Sequence, residues 1–215
     1  MLALDHVVFA GEDIEAMSTA YGNKFNLKAV LGGRHENWGT YNYLAYLSNN
    51  TYLEWLGIDD ESVANQSDSP LIQHLIYHLE NKQVGLFQFA LQTDDLESYI
   101  THFNENDIPY SGPFNGQREL TSGITITWRM LFPTYDHTTE TLPFLIEWDQ
   151  PEHERVNVGL VNPSAITKVD FSGTTLDRFL HIYNIVGKKR LRNSVRLKNT
   201  TLAFKEDVGI DLTIT

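Results

Sequence analysis

The sequence predicts an α+β fold of repeated βαβββ units, two paired modules followed by a third, partial C-terminal one. Three observations carry that prediction. A short strand pattern occurs at residues 4–9, 86–91 and 166–171, and each copy runs into a polar turn. Behind each copy, apolar residues follow at i, i+3 and i+7: Ile14, Met17 and Tyr21, then Leu96, Tyr99 and Phe103, then Leu176, Phe179 and Tyr183. That spacing lays one apolar stripe along a helix. A β-rich stretch then closes each unit.

In the first unit, residues 1–58, Glu12 and Asp13 open the helix, where a carboxylate caps free N–H groups and meets the positive end of the helix dipole. Residues 39–47 and 51–57 read as strands joined by a turn at Asn49 and Asn50. Residues 59–83 form a connector with a helix over 71–80. In the second unit, residues 84–150, Asp94 and Asp95 open the helix and strands cover 123–132 and 144–148. Pro143 suits a strand start, because a proline there removes no interior ladder donor. Pro151, Asn162 and Pro163 punctuate the second connector. In the third unit, within residues 151–215, Thr174 and Thr175 open the helix, and residues 194–206 and 209–215 read as strands.

Composition narrows the function classes. The 215 residues are 41% hydrophobic, which permits a packed core. With 28 acidic against 16 basic residues, the net charge of −12 repels phosphate backbones and anionic membrane surfaces, so neither nucleic acid nor membrane is expected as a partner. The absence of cysteine removes disulfide, thiolate-metal and cysteine-nucleophile chemistry. The apolar start of the chain is too short for a secretion signal, and no run approaches the ~18 apolar residues of a spanning helix. The expectation is a soluble, cytoplasmic protein.

Strand phase decides which side chains can meet. Val7 and Phe9, Phe89 and Leu91, and Val169 and Phe171 are the bulky sets expected to face the helices, so His6, Gln88 and Lys168 point the other way. The same rule sets Leu53 and Trp55 against Tyr52 and Glu54. It sets Phe144, Ile146 and Trp148 against Leu145 and Glu147, and Ile126 and Trp128 against Thr127 and Arg129. Thr40 and Asn42 are companions of His6. A polar face can simply meet water. It can also line a cleft between two paired units, where His6, Gln88, Glu54 and Glu147 would converge.

The stretches at residues 4–9, Gly32 to His35, Trp38 to Asn42 and Tyr52 to Glu54 resemble the vicinal oxygen chelate superfamily, in its glyoxalase-like branch. The resemblance covers roughly residues 1–150. It implies a divalent metal, Ni, Co, Mn or Zn, held by His6 and Glu54 from the first unit and by Gln88 and Glu147 from the second. It further implies a lyase or isomerase acting on a small dicarbonyl or hydroxy-carbonyl substrate, with Glu147 or Glu54 as general base. Arg34, His35 and Arg129, with Thr40 and Asn42, are the candidate substrate-binding residues. A metal-independent binding protein of the same fold is the main alternative, a dimerising scaffold the second, and a homodimer is possible. His74 and His78 stand four apart on the connector helix, but Leu75 replaces the glutamate of a metalloprotease helix, so a partly exposed helix accounts for them. Lys168 and Asp170 suit an ion pair, and the third unit is expected to cover a sheet edge or form a subunit contact.

Overall fold

A computed structural model describes residues 1–119, 123–186, 190–191, 193–206 and 209–215. The first module runs β1 (Ala3–Ala10), α1 (Ile14–Phe25), β2 (Val30–His35), β3 (Thr40–Leu47) and β4 (Thr51–Ile58). A short helix α2 (Glu61–Ala64) and the longer α3 (Pro70–Glu80) connect it to the second module. That module runs β5 (Gly85–Gln92), α4 (Leu96–Glu105), β6 (Tyr110–Glu119), β7 (Thr125–Pro133) and β8 (Phe144–Trp148). The one-turn α5 (Glu152–Arg155) leads to a third module of β9 (Ile166–Phe171), α6 (Leu176–Ile182), β10 (Arg190–Leu191), β11 (Ser194–Arg196), β12 (Thr201–Phe204) and β13 (Ile210–Ile214).

The cap signals in the sequence are real. Asp13 accepts from the Ala16 amide, Asp95 from Ser98 and Thr175 from Arg178, each satisfying an N–H that the helix leaves free. Each cap contributes about 1 kcal/mol.

The first two modules form one eight-stranded sheet in the order β2-β3-β4-β1-β5-β8-β7-β6. β1 pairs in parallel with β4 and antiparallel with β5, and β5 pairs in parallel with β8, so the modules mirror each other across the β1–β5 seam. The sheet curls until its edge strands β2 and β6 meet. Gly33, at φ +155°, permits that approach, since a Cβ there would lie 2.9 Å from Cδ of Arg118.

Two cores result. On the outer face, Val7, Phe9, Trp55, Phe89 and Leu91 pack with Ile14, Leu96 and Phe103 of the helices and with Val169, Phe171 and Phe179 of the third module. On the inner face, Leu71, Ile72 and Leu75 of α3 pack against Val8, Phe87, Ala90, Met130, Phe132 and Ile146. The connector helix is partly exposed, as the sequence indicates, with Gln73 and Glu80 in solvent, but its inner stripe is buried. It plugs part of the concave side, and His74 is buried with it.

The third module repeats the βαβββ order with β12 as its closing strand, and β13 pairs antiparallel with β9 in the place that β5 takes beside β1. Its sheet lies on the outer face of the first, where the rings of Phe89 and Phe171 meet edge to face at 5.1 Å. It covers a face rather than the sheet edge anticipated from the sequence; the edge strands of the first sheet, β2 and β6, meet each other instead. Lys168 and Asp170 do form an ion pair, at 2.7 Å.

Candidate active site in the cleft

The open part of the concave side is a narrow cavity of about 40 Å³ between β1, β2, β3, β4, β6, β7, β8 and α3. Space for a water is about 10–15 Å³, so it holds roughly three waters or the head of a small ligand. His6, His35, Thr40, Asn42, Tyr52, Glu54 and Arg118 supply its polar wall. Leu56, Leu71, Ile72, Met130, Phe144, Ile146 and the indoles of Trp38, Trp128 and Trp148 supply the rest. A wider groove of about 630 Å³ shares His35, Trp38, Arg118 and Trp128 with it and opens outward.

Strand alternation puts His6, Thr40, Asn42 and Glu54 on this face, as the sequence indicates. His6 is 3% exposed. Its Nδ1 lies 2.6 Å from Oδ1 of Asp5, and its Nε2 lies 3.4 Å from Oε2 of Glu54. Simple alternation would turn Asp5 outward, but a register shift between Leu4 and His6 turns it in beside the imidazole, where Trp148 Nε1 donates to its other oxygen at 2.9 Å. The His6 ring stacks on Tyr52 at 4.5 Å and meets Phe144 edge-on at 5.5 Å.

Burial alone would lower the pKa of His6, but hydrogen bonds and charge from Asp5 and Glu54 outweigh it and raise the value to about 9. Burial would likewise raise Glu54. The hydrogen bond and charge of His6, the charge of His35 and the Asn42 amide instead bring it down to about 2. At neutral pH the pair is imidazolium and carboxylate. His35 is the opposite case: burial pushes it down to about 4, Glu54 opposing and Arg118 adding to the shift, so it stays neutral, with Nδ1 3.1 Å from the Thr40 hydroxyl. One pocket thus holds a charged and a neutral imidazole.

The other sequence candidates lie elsewhere. Gln88 faces inward, but its strand partner is Val8; the residue opposite His6 is Ala90. Under α3, Gln88 donates to Tyr135 Oη at 2.9 Å and to the Leu142 carbonyl at 3.1 Å, and accepts from the Phe89 amide at 2.8 Å. Glu147 points to the outer face, where it accepts from the Leu96 amide at the start of α4 and from Arg129. Arg129 also binds Glu97, and the exposed Arg34 binds Asp59.

The reversed phase of β8 has a physical cause. Phe144 and Ile146 are apolar because the second module's half of the cleft is apolar, not because they face a helix. The counterpart of Glu54 is Ile146, since Val8 aligns with Glu54 and Gln92 aligns with Ile146 two residues beyond the His6–Tyr52 and Ala90–Phe144 pairs. A metal shell of His6, Glu54, Gln88 and Glu147 therefore does not fit this cleft: alkyl groups stand at two of its four positions. Among the described residues no three histidine, aspartate or glutamate side chains converge as a metal site.

Sequence reasoning missed Asp5, Arg118 and the three indoles, and placed Tyr52 on the face of Glu54 without giving it a role. Arg118 had a readable signal, since Phe114, Gly116 and Arg118 alternate with Asn115, Gln117 and Glu119 on β6. The bulge that recruits Asp5 had none.

Comparison with known proteins agrees with this architecture. A crystal structure of a hypothetical protein from Staphylococcus aureus superposes with TM-score 0.77 at 18% identity, over 96% of this chain and 87% of that one. Methylmalonyl-CoA epimerase from Mycobacterium tuberculosis superposes with TM-score 0.52 at 18% identity, over 71% of this chain and 91% of that one. A point variant of the Streptomyces coelicolor methylmalonyl-CoA epimerase, in complex with 2-nitronate-propionyl-CoA, gives 0.50 at 17%, over 68% and 97%. At these identities the likeness is one of fold. No curated protein matches the chain in sequence. The glyoxalase-like domain model matches residues 4–186, and the chain belongs to that family.

Proposed function

We propose that the chain is a glyoxalase-like isomerase or lyase that moves a proton on a small hydroxy-carbonyl or dicarbonyl compound, with His6 and Glu54 as its charged groups. The supporting observation is the buried imidazolium and carboxylate, 3.4 Å apart, at the wall of a narrow pocket. A substrate carbonyl that accepts from His6 Nε2 draws that hydrogen bond away from Glu54, and the freed carboxylate becomes a stronger base. Glu54 takes the proton from the carbon beside the carbonyl. The C–H electron pair becomes a C=C bond, the carbonyl π pair moves to oxygen, and the enolate oxygen is held by the imidazolium. For a hydroxy-carbonyl substrate, Glu54 returns the proton to the former carbonyl carbon, the enolate oxygen takes a proton from His6, and the neighbouring hydroxyl gives its proton back to His6 as it becomes the new carbonyl, which completes an isomerisation.

Proton NMR in D2O containing EDTA tests this with hydroxyacetone, dihydroxyacetone and pyruvate. The wild type is expected to speed loss of the exchangeable carbon-bound protons, and Glu54→Gln to reduce that rate by about 10²–10⁴. The rate should fall above about pH 9, where His6 loses its proton. Exchange that requires added metal, or that survives Glu54→Gln, would contradict the mechanism. Saturable binding of these compounds without exchange would instead support a metal-independent binding protein, the reading that the apolar walls of Leu56, Leu71, Ile72 and Met130 favour.

A further inference from the structure

Arg118 stands where the inner cavity joins the outer groove, and it lines both. Its strand position makes it inward-facing, opposite Ile126 and two residues beyond Gly116, which leaves room for the Trp128 indole. Gly33 leaves room for its stem to cross from β6 towards β2. Arg34, Arg129 and Arg178 each hold a carboxylate. Among the described residues Arg118 holds none, and its Nε is buried without a hydrogen-bond partner. A guanidinium donates in parallel pairs, and the Nε edge is one of the two faces that bind a carboxylate through both oxygens. The cationic His6 cannot serve that purpose, because Asp5 and Glu54 already flank it.

We propose that Arg118 binds the carboxylate of an anionic substrate through its Nε edge, so that the cleft selects short carboxylic acids carrying a carbonyl or hydroxyl group over their neutral counterparts. This rests on the cleft being a small-molecule site, as proposed above, and adds the charge of the ligand.

Calorimetric titration of the full chain with acetate, pyruvate and lactate, with acetamide, pyruvamide and lactamide, and with inorganic phosphate tests it. At least one carboxylate is expected to bind tighter than its amide in the wild type. Arg118→Gln should weaken that carboxylate about tenfold or more while leaving the amide unchanged, the loss expected for a charge-assisted bond. Arg118→Lys, which keeps the charge but not the fork, should fall between. Equal affinity for acid and amide, undiminished carboxylate binding by Arg118→Gln, tighter binding of phosphate, or no carboxylate binding at all would overturn the proposal. Arg118-dependent binding without proton exchange would defeat the mechanism of Glu54 and leave this inference standing; exchange of pyruvate at low concentration that is indifferent to Arg118→Gln would do the reverse.

Discussion

His6 is held by contacts that a sequence shows only in part. Its inward direction follows from the bulk of Val7 and Phe9, and Glu54 follows from Leu53 and Trp55 in the same way. Asp5 does not follow, because a register shift carries it to the face opposite its natural phase. The three side chains now depend on one another: removing the imidazole leaves two carboxylates buried without a cation. His6→Ala should therefore cost about 3–5 kcal/mol in urea unfolding. His6→Ala combined with Glu54→Leu and Asp5→Asn should recover much of that loss. If His6→Ala alone unfolds with wild-type stability, the ion pair does not exist.

At the scale of elements, strand phase was legible in the first module and reversed on β7 and β8 of the second. The rule that apolar side chains seek the helix side holds only when the other side is wet. Here the other side is covered by α3 and by the indoles of Trp38, Trp128 and Trp148, so Ile126, Trp128, Phe144 and Ile146 satisfy burial by facing the cleft. Glu147 then falls to the outer face, at the N-terminus of α4, where an acceptor is needed. Glu147→Ala is expected to lower stability by about 1–2 kcal/mol through loss of that cap and of the Arg129 bond. Proton exchange on the small substrates should stay at the wild-type rate. A collapse of exchange with unchanged stability would return Glu147 to the site. For α3, Leu75→Ala empties a fully buried position and should cost about 2–5 kcal/mol in the same unfolding measurement.

The whole molecule was legible as three βαβββ units, since the recurring strand and helix spacing survives where individual side chains do not. The packing of the third unit was not, because its contacts with Phe89 and its neighbours join residues far apart in the chain. A chain ending at residue 150 should expose the outer core and aggregate, which light scattering would show. Stability should also be greatest near pH 6.5. Glu54, His35 and His74 have folded pKa values below their unfolded ones, so their contribution is lost as pH falls: through the range from about 6.5 to about 4 for His35 and to about 3 for His74, and below about 4.5 for Glu54. His6 is raised, so its contribution is complete below about 6.5 and disappears as pH rises to about 9. Melting temperatures across pH check both arms. The most direct test of the central claim is the nitrogen NMR titration of His6 in protein labelled with ¹⁵N-histidine: both ring nitrogens should carry protons at pH 7 and titrate near 9, and a neutral ring at pH 7 would contradict the account.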